Sequence, residues 1–491
     1  HNNVSNNNDS NDNLSNNNIS NNNVSNNDAS NNTSNSSYVL ETSLSQFGIT
    51  WTFDKEYKTG QFANGDHWVV VDDSSSTVTI VEIDPASSVI YEDWTGSPGG
   101  PELGLIERII NGSMVNPTGG WSRDQGFDSH VYAYQRRNTE YYIADLNKAR
   151  PGGDDLSADN PLVIEAGSSL VSTISNTLEE LHELQYPSGT KTAAILTVLS
   201  EVPQSGSFRP GYCGSQKTVK FNKSNLNYTL LKNLEKPNAT FQDYPEAYSI
   251  DEGLHVCERN IERPWLDHVT HWYGGSIHPS ENLPNYGRNF AFQLGDAMLM
   301  LNLDFTKEQK EKLFIRLVQI GIDLTSIYDT GGFWEPNGGI FHGRKLPILF
   351  AGMALNDDHM KNCAQWRGEF TESYGIYTLT FPFMEDTQYF YVNQDSVDRP
   401  SYDPLDPQSE TNYGPPYVGG AYDYSHGGYS VDDIGLPEWG IRHMADPRYD
   451  SKEWLIRYRL INGRSSVGHA LAIHIMGLKV EWGNNAFLDY L

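Results

Sequence analysis

Cysteine, basic residues and long apolar runs are all scarce in this chain of 491 residues. Three cysteines, Cys213, Cys257 and Cys363, allow at most one internal disulfide, which excludes a disulfide-stapled scaffold. Lys plus Arg number 34 against 63 Asp plus Glu, a formal net charge of −29. So acidic a surface repels phosphate backbones and anionic lipid, which argues against nucleic-acid and membrane-surface partners. No segment reaches the roughly 18 consecutive apolar residues of a membrane-spanning helix. Neither HExxH nor CxxC occurs, and His469 and His474 do not share a helical face, so no transition-metal site is expected. A Walker A motif, a dinucleotide fingerprint and a nucleophile elbow are also missing. Aromatic residues, at 12%, are plentiful; disordered chains are poor in them, so most of the chain folds. The chain begins at His1 without a signal-peptide pattern, as a processed form or a sequence lacking its start would.

What is present is most distinctive in residues 1–37. They hold 18 Asn and 9 Ser, with no aromatic, Lys or Arg. Ser recurs at positions 5, 10, 15, 20, 25 and 30 in a repeat Asn-x-Ser-Asn-Asn, with Asp12 replacing the last Asn once. The x position carries Val4, Asp9, Leu14, Ile19, Val24 and Ala29. A period of five is neither helical nor that of a strand, so equivalent side chains point around the chain axis. Such a pattern suits a thread coated on all sides. Each repeat is an N-glycosylation acceptor by pattern, at Asn3, Asn8, Asn13, Asn18 and Asn23, with further matches at Asn31, Asn32 and Asn35. An Asn/Ser-rich linker generates such matches by composition alone, but composition does not set their phase. Elsewhere the pattern recurs at Asn111, Asn222, Asn227 and Asn238. The Asn/Ser/Tyr/Gly-rich, Lys-poor composition also fits an extracellular protein.

From residue 38 to about 215 the chain reads as β-rich. Trp68–Val71, Thr77–Ile83, Val131–Tyr134, Pro161–Ile164, Leu170–Ile174 and Ala193–Leu199 are strand candidates between Gly/Pro/Asp/Ser clusters. Helical periodicity takes over after about residue 240. Asn285–Leu303 carries an apolar stripe, and Thr306 with Gln309 forms a capping box opening a second helix. Arg344–Asn356, with Pro347 in its first turn, and Ser465–Leu478 are the third and fourth. Residues 370–450 are an irregular Tyr-, Pro-, Asp- and Gly-rich excursion.

The helical region holds a candidate carbohydrate site. His268, His271, Trp272 and Tyr273 precede the first long helix; His278, Tyr286, Arg288 and Asn289 follow; Trp334, Asn337, His342, Arg344 and Lys345 lead into the third. Cleavage of an acidic polysaccharide by elimination needs a group to neutralise the sugar carboxylate, a base at C5 and an acid for the leaving oxygen. Asn or Arg, His and Tyr serve these roles in turn. The set His271, Tyr273, Asn289, Asn337 and His342 supplies them. The same residues also read as buried polar groups and helix caps of a Tyr-rich fold. The acidic turns Asp154–Asp155 and Asp403/Asp406 are candidate Ca²⁺ ligands that equally read as solvated turns; no other cofactor is expected.

Two resemblances follow. The segment Asn337-Gly-Gly-Ile-Phe-His-Gly-Arg-Lys-Leu-Pro347, running into an apolar helix, resembles helices in the (α/α)-toroid bodies of heparinase II/III-like and alginate-lyase-like proteins, as does the helix pair 285–303 and 306–328. That resemblance implies a toroid and a polysaccharide lyase activity. The tail resembles the repeat threads of extracellular glycofibrils, which implies a structural subunit with covalent glycans and copies of itself as partners. The expected fold is multidomain α+β: an extended segment 1–37, a sandwich-like β-rich domain 38–240 and a mostly helical, toroid-like domain 241–491, with the boundary near 215–245. The expected function is a subunit of an extracellular N-glycosylated filament assembled head-to-tail through its tail. A secreted polysaccharide-active enzyme with a glycosylated spacer is the alternative.

Overall fold

A computed structural model describes residues 37–72, 74–94, 104–120, 124–129, 131–133, 136–138, 142–150, 156–183, 188–243, 245–269, 277–282, 288–335, 341–371, 378–394, 397, 430–439 and 463–491. The repeats of the tail, and most of the 370–450 excursion, lie outside these residues.

The first strands are β1 (Val39–Gln46), β2 (Ile49–Gln61), β3 (His67–Val70) and β4 (Thr77–Asp84), followed by the hairpin β5 (Ser88–Trp94) and β6 (Gly104–Ile110). Next come β7 (Ser113–Val115), the short pair β8 (Val131–Ala133) and β9 (Arg136–Asn138), and then β10 (Leu162–Glu165), β11 (Ser168–Ser175) and β12 (Thr190–Leu199). Eight of them form one sheet in the order β10-β4-β2-β3-β12-β11-β7, with β1 on β2. All its pairings are antiparallel except β3 with β12. In β2, Ile49, Trp51 and Phe53 are buried while Thr50, Thr52 and Asp54 are not, the period of two of a strand with one face on the core. Its first half pairs with β4 and its second with β3, while β1 runs along its other side.

Strands β11 and β12 are buried on both faces, and their sequences are near-continuous apolar and small-residue runs for that reason. Leu170, Ala194, Leu196 and Val198 point into a core with Trp51, Phe53, Val78 and Ile80. Val171, Ala193 and Ile195 point the opposite way, into the core of the helices.

The helices are α1 (Leu178–Glu183), α2 (Ile250–Asn260), α3 (Asn289–Leu301), α4 (Lys307–Asp329), α5 (Lys345–Leu355), α6 (Asp358–Lys361), α7 (Met384–Gln388), α8 (Arg464–Met476), α9 (Lys479–Trp482) and α10 (Asn485–Tyr490). The capping box expected at Thr306 and Gln309 opens α4. A second one, Ser249 with Glu252, opens α2. Helices α3 and α8 cross where Gly295 meets Gly468; a Cβ on Gly295 would stand 3.1 Å from the Gly468 Cα. Among the described residues, no long helix occurs within 45–150 and no sheet within 285–355. Among the described residues no helix is long and apolar enough to cross a membrane.

The main sheet is built before residue 200 and the longer helices after residue 249, and short strand pairs such as Phe241–Asp243 with Glu246–Tyr248 also occur beyond the sheet, but the two halves share a core. Residues 36–491 form one compact unit. The segment 222–240, expected as a polar boundary, sends Leu226, Leu230 and Leu231 into the helical core. Arg209 ties the layers together: its Nε donates to Asp66 before β3 (2.6 Å), and its Nη1 and Nη2 donate to Asp323 on α4 (2.9 and 2.6 Å). Each fully buried Val, Leu or Ile contributes about 1.5–3 kcal/mol. Separating the halves would therefore re-expose Val171 and Ile195 and strand a buried guanidinium, so the unit is cooperative across the expected boundary.

Candidate functional site

Two buried polar clusters of the helical half meet at the turn 341–344. The first centres on Asp267, which is wholly buried. Its Oδ2 accepts from Trp334 Nε1 (2.7 Å) and Arg344 Nε (2.9 Å); its Oδ1 accepts from Arg344 Nη2 (3.1 Å) and lies 3.1 Å from His278 Nε2. The Arg344 guanidinium also lies over the Phe290 ring, 3.8 Å from its centroid, and donates to the His342 carbonyl (3.1 Å). Burial alone would push the Asp267 carboxyl up, but Arg344 and His278 hold it well below the usual range. Burial lowers His278 too, and takes His268, 3.1 Å from the Tyr212 hydroxyl, down to about 3.

The second cluster surrounds His342, which is fully buried. Its Nε2 lies 3.3 Å from the Tyr389 hydroxyl, and burial lowers its pKa to about 3, so the ring is neutral. Gly343, with φ +99°, passes close to His469: a Cβ there would come within 3.1 Å of the ring's Cε1. Only glycine adopts that backbone in so little space. Its N–H donates to Glu385 Oε1 (2.8 Å). Burial raises Glu385 to about 7. Beside it Lys345 bonds Asp386 and the Trp482 carbonyl.

Of the expected catalytic set, His342 and Asn289 are described. Asn289 is half-buried at the first turn of α3, whose next residues, Phe290 and Ala291, touch Arg344 and Gly343. His271, Tyr273 and Asn337 lie outside the described residues, with Trp272 and Tyr286. His268, His278, Trp334, Arg344 and Lys345 are all buried and hydrogen-bonded, the alternative the sequence offered for them. Sequence reasoning missed Asp267, Glu385, Asp386 and Tyr389. The visible signal for Asp267 was its place beside His268; the others lay in a stretch without periodicity. A neutral His against a Tyr, with a carboxyl group near neutrality, is acid–base chemistry, but His342 is sealed from solvent in this conformation. Two surface cavities lie elsewhere, of about 280 Å³ beside Tyr38 and Trp68 and about 240 Å³ beside Lys220, Asp329 and His359.

No protein-family model matches the chain, and no curated protein or solved structure is significantly similar to it. Among the described residues no group of three or more His, Cys, Asp or Glu is arranged to hold a metal ion; the acidic turns at 154–155 and 403–406 lie outside them. The three cysteines are free thiols, all buried.

The four body acceptor motifs divide by geometry. Asn111 is buried with φ +56°, its Nδ2 donating to the Ala86 carbonyl (3.2 Å) and its Oδ1 accepting from Ser175 N–H (2.9 Å). Asn222 is buried, and its Nδ2 donates to the Ser205 carbonyl (2.8 Å). Asn227 and Asn238 are exposed. Asn227 Oδ1 accepts from both the Thr229 N–H (3.1 Å) and hydroxyl (2.6 Å), leaving its amide nitrogen turned outward. Peptide mapping of protein purified from its source should find glycan at Asn227 and Asn238 and unmodified Asn111 and Asn222. Occupancy at Asn111 would contradict the buried bridge described here.

Proposed function

We propose that the chain is the structural subunit of an extracellular, N-glycosylated filament, assembled head-to-tail through residues 1–37. The observation that carries this reading is the phase of the five repeats: a flexible spacer needs no register, whereas an extended, regularly coated thread does. Fully extended, 37 residues reach at most about 120–130 Å, against a radius of gyration of roughly 22 Å for a compact body of this size. A tail of that length reaches a neighbouring copy. The same contact repeated on every copy is heterologous, and where its rotation does not close a ring it propagates as an open fibre. Electron micrographs of the full chain and of a chain lacking residues 1–37 test it.

A second reading, a secreted polysaccharide lyase-like enzyme on a toroid-like body, draws on the neutral His342–Tyr389 pair next to Glu385. It requires the 341–344 turn to open. Incubation with acidic polysaccharides would then raise the absorbance of unsaturated uronates, and the His271→Ala, His342→Ala pair would abolish it. No absorbance change across such a panel ends this reading.

A further inference from the structure

The main sheet ends in three edges: β10, β7 and β1, the last paired only with β2 among the described residues. The β7 edge is closed by burial of Ser113 and Met114. The β10 edge is half closed, since Leu162 and Ile164 are buried while Val163 and Glu165 face solvent. Only β1 is open on both faces over its first half. Tyr38, Val39 and Leu40 are 51%, 58% and 53% exposed although neighbouring residues point to opposite faces, and Thr42 and Ser43 are exposed as well. An edge with free N–H and C=O groups and apolar side chains on both faces is a template for another strand.

The tail has the matching property. Laid out as a strand, a five-residue repeat sends successive acceptor asparagines to alternate faces: Asn3, Asn13 and Asn23 to one, Asn8 and Asn18 to the other. A strand with glycans on both faces cannot pack its side chains under a sheet; it can join only an edge open on both sides. Val4, Leu14 and Val24, ten residues apart, then share one face. The β1 register shifts between Glu41 and Ser43, which divides the edge into two short stretches, Val39–Glu41 and Ser43–Gln46. In strand addition the backbone pairing supplies affinity, and the side chains of the edge strand set the register.

We infer that the free edge of β1 receives the tail of a second copy by strand addition, with one of Val4, Leu14 or Val24 opposite Leu40. The inference rests on the filament reading and adds its contact site. The buried state of Cys213, Cys257 and Cys363 makes the test clean, because only introduced thiols are accessible. Full-length chains carrying Leu40→Cys are mixed with chains carrying Val4→Cys, Leu14→Cys or Val24→Cys, allowed to assemble and then oxidised. A cross-strand neighbour lies within the roughly 4.4–6.8 Å Cα separation a disulfide spans. At least one mixture should yield a disulfide-linked heterodimer in most of the assembled protein, and a Leu40→Glu chain should lose assembly with an unchanged urea midpoint. Filaments that form with no heterodimer at any of the three positions overturn the inference and leave the filament reading standing. So does a disulfide that forms only inside a doubly substituted chain (the tail folding onto its own edge) or only between two Leu40→Cys chains. Unsubstituted protein that never assembles overturns the filament reading itself.

Discussion

Removing residues 1–37 is expected to turn filaments into soluble monomers whose unfolding midpoint in urea matches that of the full chain. The body does not need the tail for its core. Its apolar interior runs from Leu44 to Phe487, and its buried charges, Arg108, Arg209 and Arg344, are paired to partners inside residues 38–491. The tail, with four large aliphatic side chains in 37 residues, Val4, Leu14, Ile19 and Val24, has no one-sided core of its own to contribute. Its loss should therefore cost assembly and spare stability. Sedimentation of the two forms at equal concentration measures the difference, which is expected to be all-or-none because a head-to-tail fibre has no second contact to fall back on. Filaments that survive the deletion, or full-length protein that remains monomeric at high concentration, would sink the filament reading.

The strands and helices were legible where one physical signal dominated. The β-formers of Thr77–Ile83, the strand candidate Ala193–Leu199 and the Thr306–Gln309 cap each correspond to an observed element. Helix α2 went unseen because its apolar residues, Leu254, Val256 and Cys257, are few and set among charges, although Ser249 and Glu252 spelled its cap. The shared core was not legible as one body. A run such as Ala193–Leu199 shows that both faces are buried but not that helices more than a hundred residues later cover one of them. The candidate site was legible only in part for the same reason. His342 and Arg344 stood out by residue type, whereas Asp267 is defined by partners 11, 67 and 77 positions away.

Replacing Asp267 with Asn is expected to destabilise the body by about 3–5 kcal/mol at neutral pH, the usual cost of leaving one buried charge uncompensated. Asn keeps the size and can still accept from Trp334, but it offers Arg344 no charge. The double substitution Asp267→Asn, Arg344→Met should recover part of the loss, a coupling of about 1–3 kcal/mol between residues in direct contact. The pH dependence separates this ion pair from ordinary packing. Its stabilisation is present above the ordinary Asp value of 3.8 and is lost as pH falls below it toward the depressed folded value. Above that window the buried histidines act first. His268 and His342, near 3, and His469, near 4, stay neutral in the fold while the unfolded chain takes up protons at 6.5, so stability falls as pH drops through that range. Glu385 and Asp296, both raised to about 7, oppose them, the first down to 4.5 and the second down to 3.8, because there the fold holds the extra protons. Below about pH 4 that opposition has ended, and the Asp267 loss takes over as His469, then His268 and His342, take up protons in the fold, so wild-type stability should keep falling there. The gap between wild type and Asp267→Asn should narrow over the same interval, since the wild type then loses the ion pair the variant never had. Urea midpoints measured from pH 7 down to pH 3 check both statements. A gap that stays constant with pH, or an Asp267→Asn chain within 1 kcal/mol of wild type at pH 7, would show that the pair does not anchor this fold.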